Sequence, residues 1–287
     1  MLQKIEETVE YAPGKSVTFE TGRIAKQAGG SVLVKAGEAQ VLCTTCIGPE
    51  SKGDFFPLTV EYKEKAYAAG KLPGGFFKRE ARPSEDEILA CRTIDRPIRP
   101  MFPEGFMYEV QIIATVLSAD PLLKSDILGV SAASVATGLS DIPFEEQVAG
   151  VRVCLIDGEH IINPSHTEME QADLELVVAG TETSVCMVEG GAWEMAEEVV
   201  IAAIAAGHEA IKKMCVAQKA LVERAEKQKF EFVAKQIDAE IVTMVEEKSK
   251  QKLITYDYFK TPYGSFSPLC FVFHPGSMKN FSIFGLS

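Results

Sequence analysis

A chain of 287 residues, 46% apolar and 24% charged, has the composition of a globular protein and room for one large domain or two modest ones. Its longest unbroken apolar run, Val199–Ala206, falls far short of the ~20 residues a membrane-spanning helix needs. A net charge of −12 argues against gripping nucleic acid through a broad basic surface, and seven scattered cysteines read as reduced packing residues.

Met1–Tyr11 alternates charge with apolar residues and lacks the apolar block of a signal peptide, so a cytoplasmic protein is expected. The segments Val17–Phe19, Ser31–Lys35, Ala39–Ile47 and Leu58–Lys63 carry strand chemistry, with turns at Gly29-Gly30 and Gly37-Glu38. Cys43 and Cys46 lie three apart on a strand and point to opposite faces, which excludes a shared metal ion. The loop Ala66–Pro83 follows, punctuated by Gly70, Pro73, Gly74 and Gly75, and loops of that length are often functional. It ends at Ser84, an N-cap with Glu87 at capping-box spacing and Glu85 and Asp86 in the first turn. Pro97 disfavours helical geometry at Arg96, so this helix is expected to stop near Asp95.

Val110–Leu117 reads as a buried strand and Ser125–Ser140 as a closely packed helix of small residues. Val148–Ile156, Leu174–Val178 and Val185–Val188 form a second β block with a turn at Asp157-Gly158. Glu194–Glu226 predicts a long amphipathic helix, and the order of elements suggests one α+β core of about 210 residues. Ile237, Ile241, Met244 and Val245 recur at helical spacing among Glu and Lys, as in a short separate helix. Beyond Lys252 the chain holds nine Phe and Tyr, one acid (Asp257), and Pro262, Pro268 and Pro275, which forbid a helical continuation. That tail is expected to be poorly ordered.

Chemistry concentrates between Lys63 and Arg99, where nine Lys or Arg face six Asp or Glu; the local balance is +3 and the remainder carries −15. Phe76-Phe77-Lys78-Arg79 sets two rings beside two cations, a pattern suited to stacking on bases and holding phosphates of single-stranded RNA. The same tetrad also suits a buried Phe pair anchoring a loop. Arg82 stands before the helix, Arg92 and Arg96 share one helical face, and Arg99 lies between Pro97 and Pro100 in an expected extended turn. Guanidinium groups bind phosphate bidentately, so this fan suits a polyanion or inorganic phosphate. A solvated helix face with Arg92 paired to Asp95 or another local acid is the alternative.

The stretches Asp54–Tyr62, Tyr67–Glu80, Arg82–Glu85 and Ile94–Phe106 resemble the bacterial polynucleotide phosphorylases (polyribonucleotide nucleotidyltransferases). Gly138–Phe144, Asp173–Glu182 and Met187–Glu189 continue the likeness, which runs from about Lys4 to about Lys252. The resemblance implies an RNase PH-like (ribosomal protein S5 domain 2-like) domain over 1–213, the start of an all-α linker over 214–252, and a tail at 253–287 foreign to the family. It implies 3′-to-5′ phosphorolytic RNA degradation in mRNA turnover, in a soluble ring-shaped homotrimer that threads single-stranded RNA. Phe76, Phe77, Lys78 and Arg79 match the family's pore-constricting Phe-Phe-Arg-Arg loop, with Lys78 keeping the charge but not the planar fork. Arg82, Arg92, Arg96 and Arg99 match arginines lining the path from pore to active site.

Family members place Mg²⁺ and the phosphate-binding serines in a second core domain, so no catalytic or metal-binding residue is expected in this chain. Aligning the two halves puts Asp173 at one catalytic aspartate, but Thr167 at its acidic partner and Ser125-Asp126 at the serine pair. Glu168, Glu170 and Glu175 nearby read as a solvated acidic edge. The family's KH and S1 RNA-binding domains are absent from this sequence. The chain is therefore expected to guide RNA and to be inactive alone; a non-catalytic RNA-binding ring subunit and an inert truncated fragment are the alternatives.

Overall fold

Period-two alternation of apolar and polar residues builds a six-stranded sheet from the N-terminal half of the chain. The computed structural model describes residues 4–53, 55–74, 76, 79–80, 82–232, 240–241 and 243–249. The described residues fall into two compact units, one over residues 4–231 and one that takes in residue 232 and the described residues between 240 and 249.

In the larger unit, β1 (Ile5–Ala12), β2 (Lys15–Thr21), β3 (Gly30–Ala36), β4 (Ala39–Glu50), β5 (Leu58–Lys63) and β6 (Tyr108–Ser118) pair in the order β1-β2-β3-β4-β6-β5. All neighbours are antiparallel except β5, which lies parallel to β6 with Leu58 opposite Val110 and Lys63 opposite Thr115. A parallel pair needs a crossover connection, and here the 44 residues from Glu64 to Met107 hold both the glycine-rich loop and helix α1 (Glu85–Ile98). A second sheet, ordered β10-β9-β7-β8, comprises β7 (Ala149–Ile156), β8 (Glu159–Ile162), β9 (Leu174–Gly180) and β10 (Val185–Ala192).

Helix α2 (Asp126–Gly138) is buried from Ile127 onward and packs on β3, β4 and β6 of the first sheet and on β7 of the second. Small residues on both sides permit that approach: a Cβ on Gly30 of β3 would stand 2.0 Å from the carbonyl oxygen of Ala136 on α2. Helix α4 (Glu197–Ala225) covers β7, β8, β9 and β1, and runs unbroken through residue 213. Helix α3 (His166–Met169) is a single turn.

Several local expectations change. β1 was hidden by its own chemistry: Glu6 and Glu10 occupy the outward positions of an edge strand whose Tyr11 and Ala12 are buried. β8 and α3, four residues each, are too short for a periodic signal. α1 continues past Asp95 to Ile98, because Ile94, Pro97 and Ile98 bury their side chains and the Arg99 N–H donates to the Asp95 carbonyl. Arg99 is accordingly right-handed helical (φ −54°, ψ −44°) rather than extended. Cys43 is buried and Cys46 exposed, as opposite strand faces require. Asp157 (φ 51°) and Gly158 (φ 82°) form the tight turn of the β7–β8 hairpin.

In the smaller unit the described residues at 240–241 and 243–249 are helical, with Ile241, Met244 and Val245 exposed. Ile237 and the segment 253–287, and with it the expectation of a poorly ordered tail, lie outside the described residues. Among the described residues no helix is long and apolar enough to cross a membrane.

Candidate functional site

β5 delivers the chain into loop 66–83, which opens as a 3-10 turn, Ala66–Ala69, closed by Gly70 in the left-handed region (φ 66°). The Ala119 N–H donates to the Ala68 carbonyl (3.0 Å), and the Ala66 N–H donates to Glu80 Oε1 (2.9 Å). Past this base Lys71, Leu72 and Glu80 are exposed. Phe76 is 94% exposed, and Arg79 and Arg82 are exposed as well. The expectation of a buried, loop-anchoring ring does not hold for Phe76. Phe77 and Lys78 lie outside the described residues.

α1 begins at a complete capping box: the Glu87 N–H donates to Ser84 Oγ (3.1 Å) and the Ser84 N–H to Glu87 Oε2 (2.7 Å). Arg92 and Arg96 on the helix and Arg99 at its C-cap then differ. Arg92 is exposed, and like Arg79 and Arg82 it has no ion-pair partner among the described residues. Arg96 donates to Glu189 Oε2 on β10 (2.7 Å), with both side chains well exposed. Arg99 turns inward: it binds both oxygens of Asp95 (2.7 and 3.0 Å) and donates to the carbonyls of Phe56 (3.0 Å) and Leu58 (3.3 Å). Four such bonds leave one of its five donors for a ligand. Its guanidinium also lies 5.8 Å and 5.7 Å from the ring centres of Phe55 and Phe56. Asp95 thus pairs with Arg99, not Arg92. Spacing could not show this, since both basic residues lie within one turn of the acid.

The second locus is a half-open groove of about 630 Å³ lined by Met169, Glu170, Asp173, Glu175, Gly191 and Trp193, among others. Asp173 is exposed at its rim, held through its backbone: its N–H donates to Leu155 and its carbonyl accepts from Trp193 (3.1 Å). Asp126 and Glu175 are bridged by Arg152, which donates to Asp126 Oδ2 (2.8 Å) and to Glu175 Oε1. Asp126 also accepts the Ile127 N–H at the start of α2 (2.7 Å). Glu168 is a capping residue, not a free edge: it accepts from the Ser165 N–H (2.6 Å) and Oγ (2.8 Å). Thr167, on α3, supplies no carboxylate. A divalent cation needs several free carboxylate oxygens, and this donor set does not fit one. The described residues contain no group of three or more His, Cys, Asp or Glu able to hold a metal. Arg152 carried no signal in the sequence, because its partners lie 26 and 23 residues away.

Residues 14–143 match domain 1 of the 3′ exoribonuclease family and residues 146–210 match its domain 2. The chain is 50% identical over 241 residues, 83% of its length, to a polyribonucleotide nucleotidyltransferase of Solibacter usitatus, and covers 34% of that protein. It is 47% identical over 271 residues to the enzyme of the same name from Acidobacterium capsulatum, covering 90% of this chain and 34% of that one. The corresponding protein of Halalkalibacterium halodurans is 47% identical over 252 residues, 88% of this chain and 36% of that one. The chain thus spans about a third of the length of these relatives. In fold it is similar to the crystal structure of rice (Oryza sativa) Rrp46, with a TM-score of 0.59 at 15% identity, covering 72% of this chain and 94% of that one.

Proposed function

The chain belongs to the 3′ exoribonuclease family, with an RNase PH-like α+β fold, and on that premise we propose that it is the RNA-guiding core domain of a polyribonucleotide nucleotidyltransferase. In that reaction an oxygen of inorganic phosphate attacks the last phosphodiester of an RNA strand. The 3′ oxygen of the penultimate nucleotide leaves and takes up a proton, and the terminal nucleotide departs as its 5′-diphosphate. The chain's own residues act before that step. Phe76 and Phe77 stack on bases without regard to sequence, while Lys78, Arg79, Arg82, Arg92 and Arg96 hold successive phosphates. Arg99 supports them from within by fastening residues 55–58 to α1.

The observation that carries this reading is the grouping of exposed Phe76 with three arginines that have no acid partner among the described residues, on one crossover segment of an otherwise acidic protein. Mg²⁺, the phosphate co-substrate and the attack itself belong to residues outside this chain, because Arg152 holds Asp126 and Thr167 replaces a carboxylate. A homotrimer in the cytoplasm, acting in mRNA turnover, completes the proposal. The bridged carboxylates also favour a second reading, a non-catalytic RNA-binding ring subunit.

The test is binding of oligoadenylate across a salt series to the wild-type chain, F76A and R79A. The first variant is expected to weaken binding to every sequence, by about five-fold or more. The second should flatten the salt dependence by about 0.7 in log–log slope. Unchanged affinity and slope in both would sink the RNA-guiding reading. Sustained release of ADP from poly(A), phosphate and Mg²⁺ by this chain, abolished by D173N, would place catalysis in the β9–β10 groove instead.

A further inference from the structure

Glu87 does more than cap a helix. It is only 4% exposed, and its carboxylate gathers donors from both ends of loop 66–83. On the entering side the Glu64 N–H donates to Oε1 (2.9 Å), and Lys65 Nζ straddles the two oxygens at 2.9 and 3.2 Å. On the leaving side the Ser84 N–H donates to Oε2 (2.7 Å).

The molecule contains its own control. The box formed by Ser165 and Glu168 at the start of α3 has the same reciprocal geometry, yet Glu168 makes no hydrogen bond outside it among the described residues. Capping alone therefore explains neither the burial of Glu87 nor its bonds to Glu64 and Lys65. What those bonds add is closure: residues 64 and 65 meet residue 84, about twenty positions on, at one carboxylate. Glu80 repeats the tie further out, through the Ala66 N–H. Bringing the ends of a loop together costs chain entropy, and a fixed neck lowers the cost of ordering the tip when a ligand binds.

We infer that Glu87 is a positioning residue, which closes the neck of loop 66–83 and so presents Phe76 and Arg79 to single-stranded RNA. The inference rests on the RNA-guiding role proposed above. An amide at position 87 keeps the volume but offers a single acceptor oxygen, turns an NH₂ toward the second set of donors and leaves Lys65 without its anion.

The experiment is a double-mutant cycle on the whole chain, with oligoadenylate carrying 2-aminopurine as the probe, alongside hydrogen exchange. E87Q is expected to weaken binding by about ten-fold and to diminish the change in 2-aminopurine fluorescence that reports stacking. Because Glu87 acts through the loop tip, E87Q/F76A should bind no more weakly than the weaker single variant. Exchange should quicken across residues 66–83 while α2 and β7 keep their protection. Full additivity of the two substitutions, or wild-type affinity in E87Q, would refute the positioning role and leave the RNA-guiding reading intact. Wild-type affinity in F76A and R79A would remove that reading, and the inference with it. K65Q, which loosens the same clasp from its solvent side, serves if E87Q does not fold; it should reproduce the non-additivity at smaller size.

Discussion

Two surfaces of one domain present exposed aromatic rings to solvent in opposite electrostatic settings. On loop 66–83 and α1, Phe76 stands with Arg79, Arg82 and Arg92, none of which has an acid partner among the described residues. In the β9–β10 groove Trp193, 80% exposed, stands with Glu170, Asp173 and Glu175. A carboxylate about 4 Å from a phosphate costs roughly 1 kcal/mol even at the dielectric of water. Glu170 and Asp173 together would thus offset most of a stacking gain of about 1–3 kcal/mol. An exposed ring is a nucleic-acid platform only where its neighbours admit phosphate.

The contrast breaks most visibly at Arg152. It is the nearly buried cation between Asp126 and Glu175, so R152A leaves two carboxylates facing each other. A loss of about 3 kcal/mol is expected, read as a fall in the urea midpoint. RNA affinity measured where the variant remains folded should not fall. If it does, Arg152 contacts RNA and the groove belongs to the binding surface.

Acid should act on the other surface through its neck. Burial pushes the Glu87 carboxyl up, but donors on Lys65, Ser84 and Glu64 outweigh burial and hold it below the ordinary value of 4.5. A depressed folded value means that Glu87 stabilises the fold above the unfolded carboxylate range, and that this contribution disappears as pH falls through the folded value. The gap in urea midpoint between wild type and E87Q should therefore be widest at neutral pH, above the ordinary carboxylate range, and should narrow as pH falls below that range. A gap independent of pH would mean that the clasp is not ionic. Glu20, buried and paired with Lys35 and Arg23, follows the same sign, so it lowers stability in acid for wild type and E87Q alike.

The arginines of α1 sharpen the comparison further. R92A should reduce the salt slope of RNA binding by about 0.7, one phosphate contact to a single strand. R99A should leave the slope nearly unchanged and lower the urea midpoint, because its guanidinium is occupied by Asp95, Phe56 and Leu58. Equal slope changes in the two would erase the distinction between an outward and an inward arginine. The smallest effect is expected for E189Q. Freeing Arg96 from an exposed ion pair should tighten RNA binding by no more than about three-fold. Weaker binding would show that Glu189 supports the surface rather than competing for it.

What the amino-acid sequence made legible, and what it did not, follows from the range of each interaction. Strands such as Ala39–Glu50 and the capping box at Ser84 announce themselves through neighbours in the chain. So do the +3 segment and its glycine-rich loop. β1 was masked because an edge strand carries charge on its open face, and β8 and α3 are too brief for a period. The Pro97 rule failed because burial of Ile98 and the Arg99–Asp95 contact outweigh a local steric preference. The assignments of Glu189 to Arg96 and Arg152 to Asp126 depend on which elements pack together, and no local pattern encodes that; Asp95 and Arg99 stand four apart and pair because the helix runs on past Pro97. Glu87 is legible as a cap and illegible as a clasp for the same reason.

The claim that RNA follows the cationic loop rather than the acidic groove is tested most directly by photocrosslinking. Oligoadenylate bearing one 4-thiouridine is irradiated with the chain, and the attached peptides are mapped by mass. Crosslinks are expected between residues 66 and 96, at or next to Phe76 and Arg79, and should be lost at high salt. Dominant crosslinks at Trp193 or among residues 169–175 would contradict the account, for they would show RNA seated in the groove.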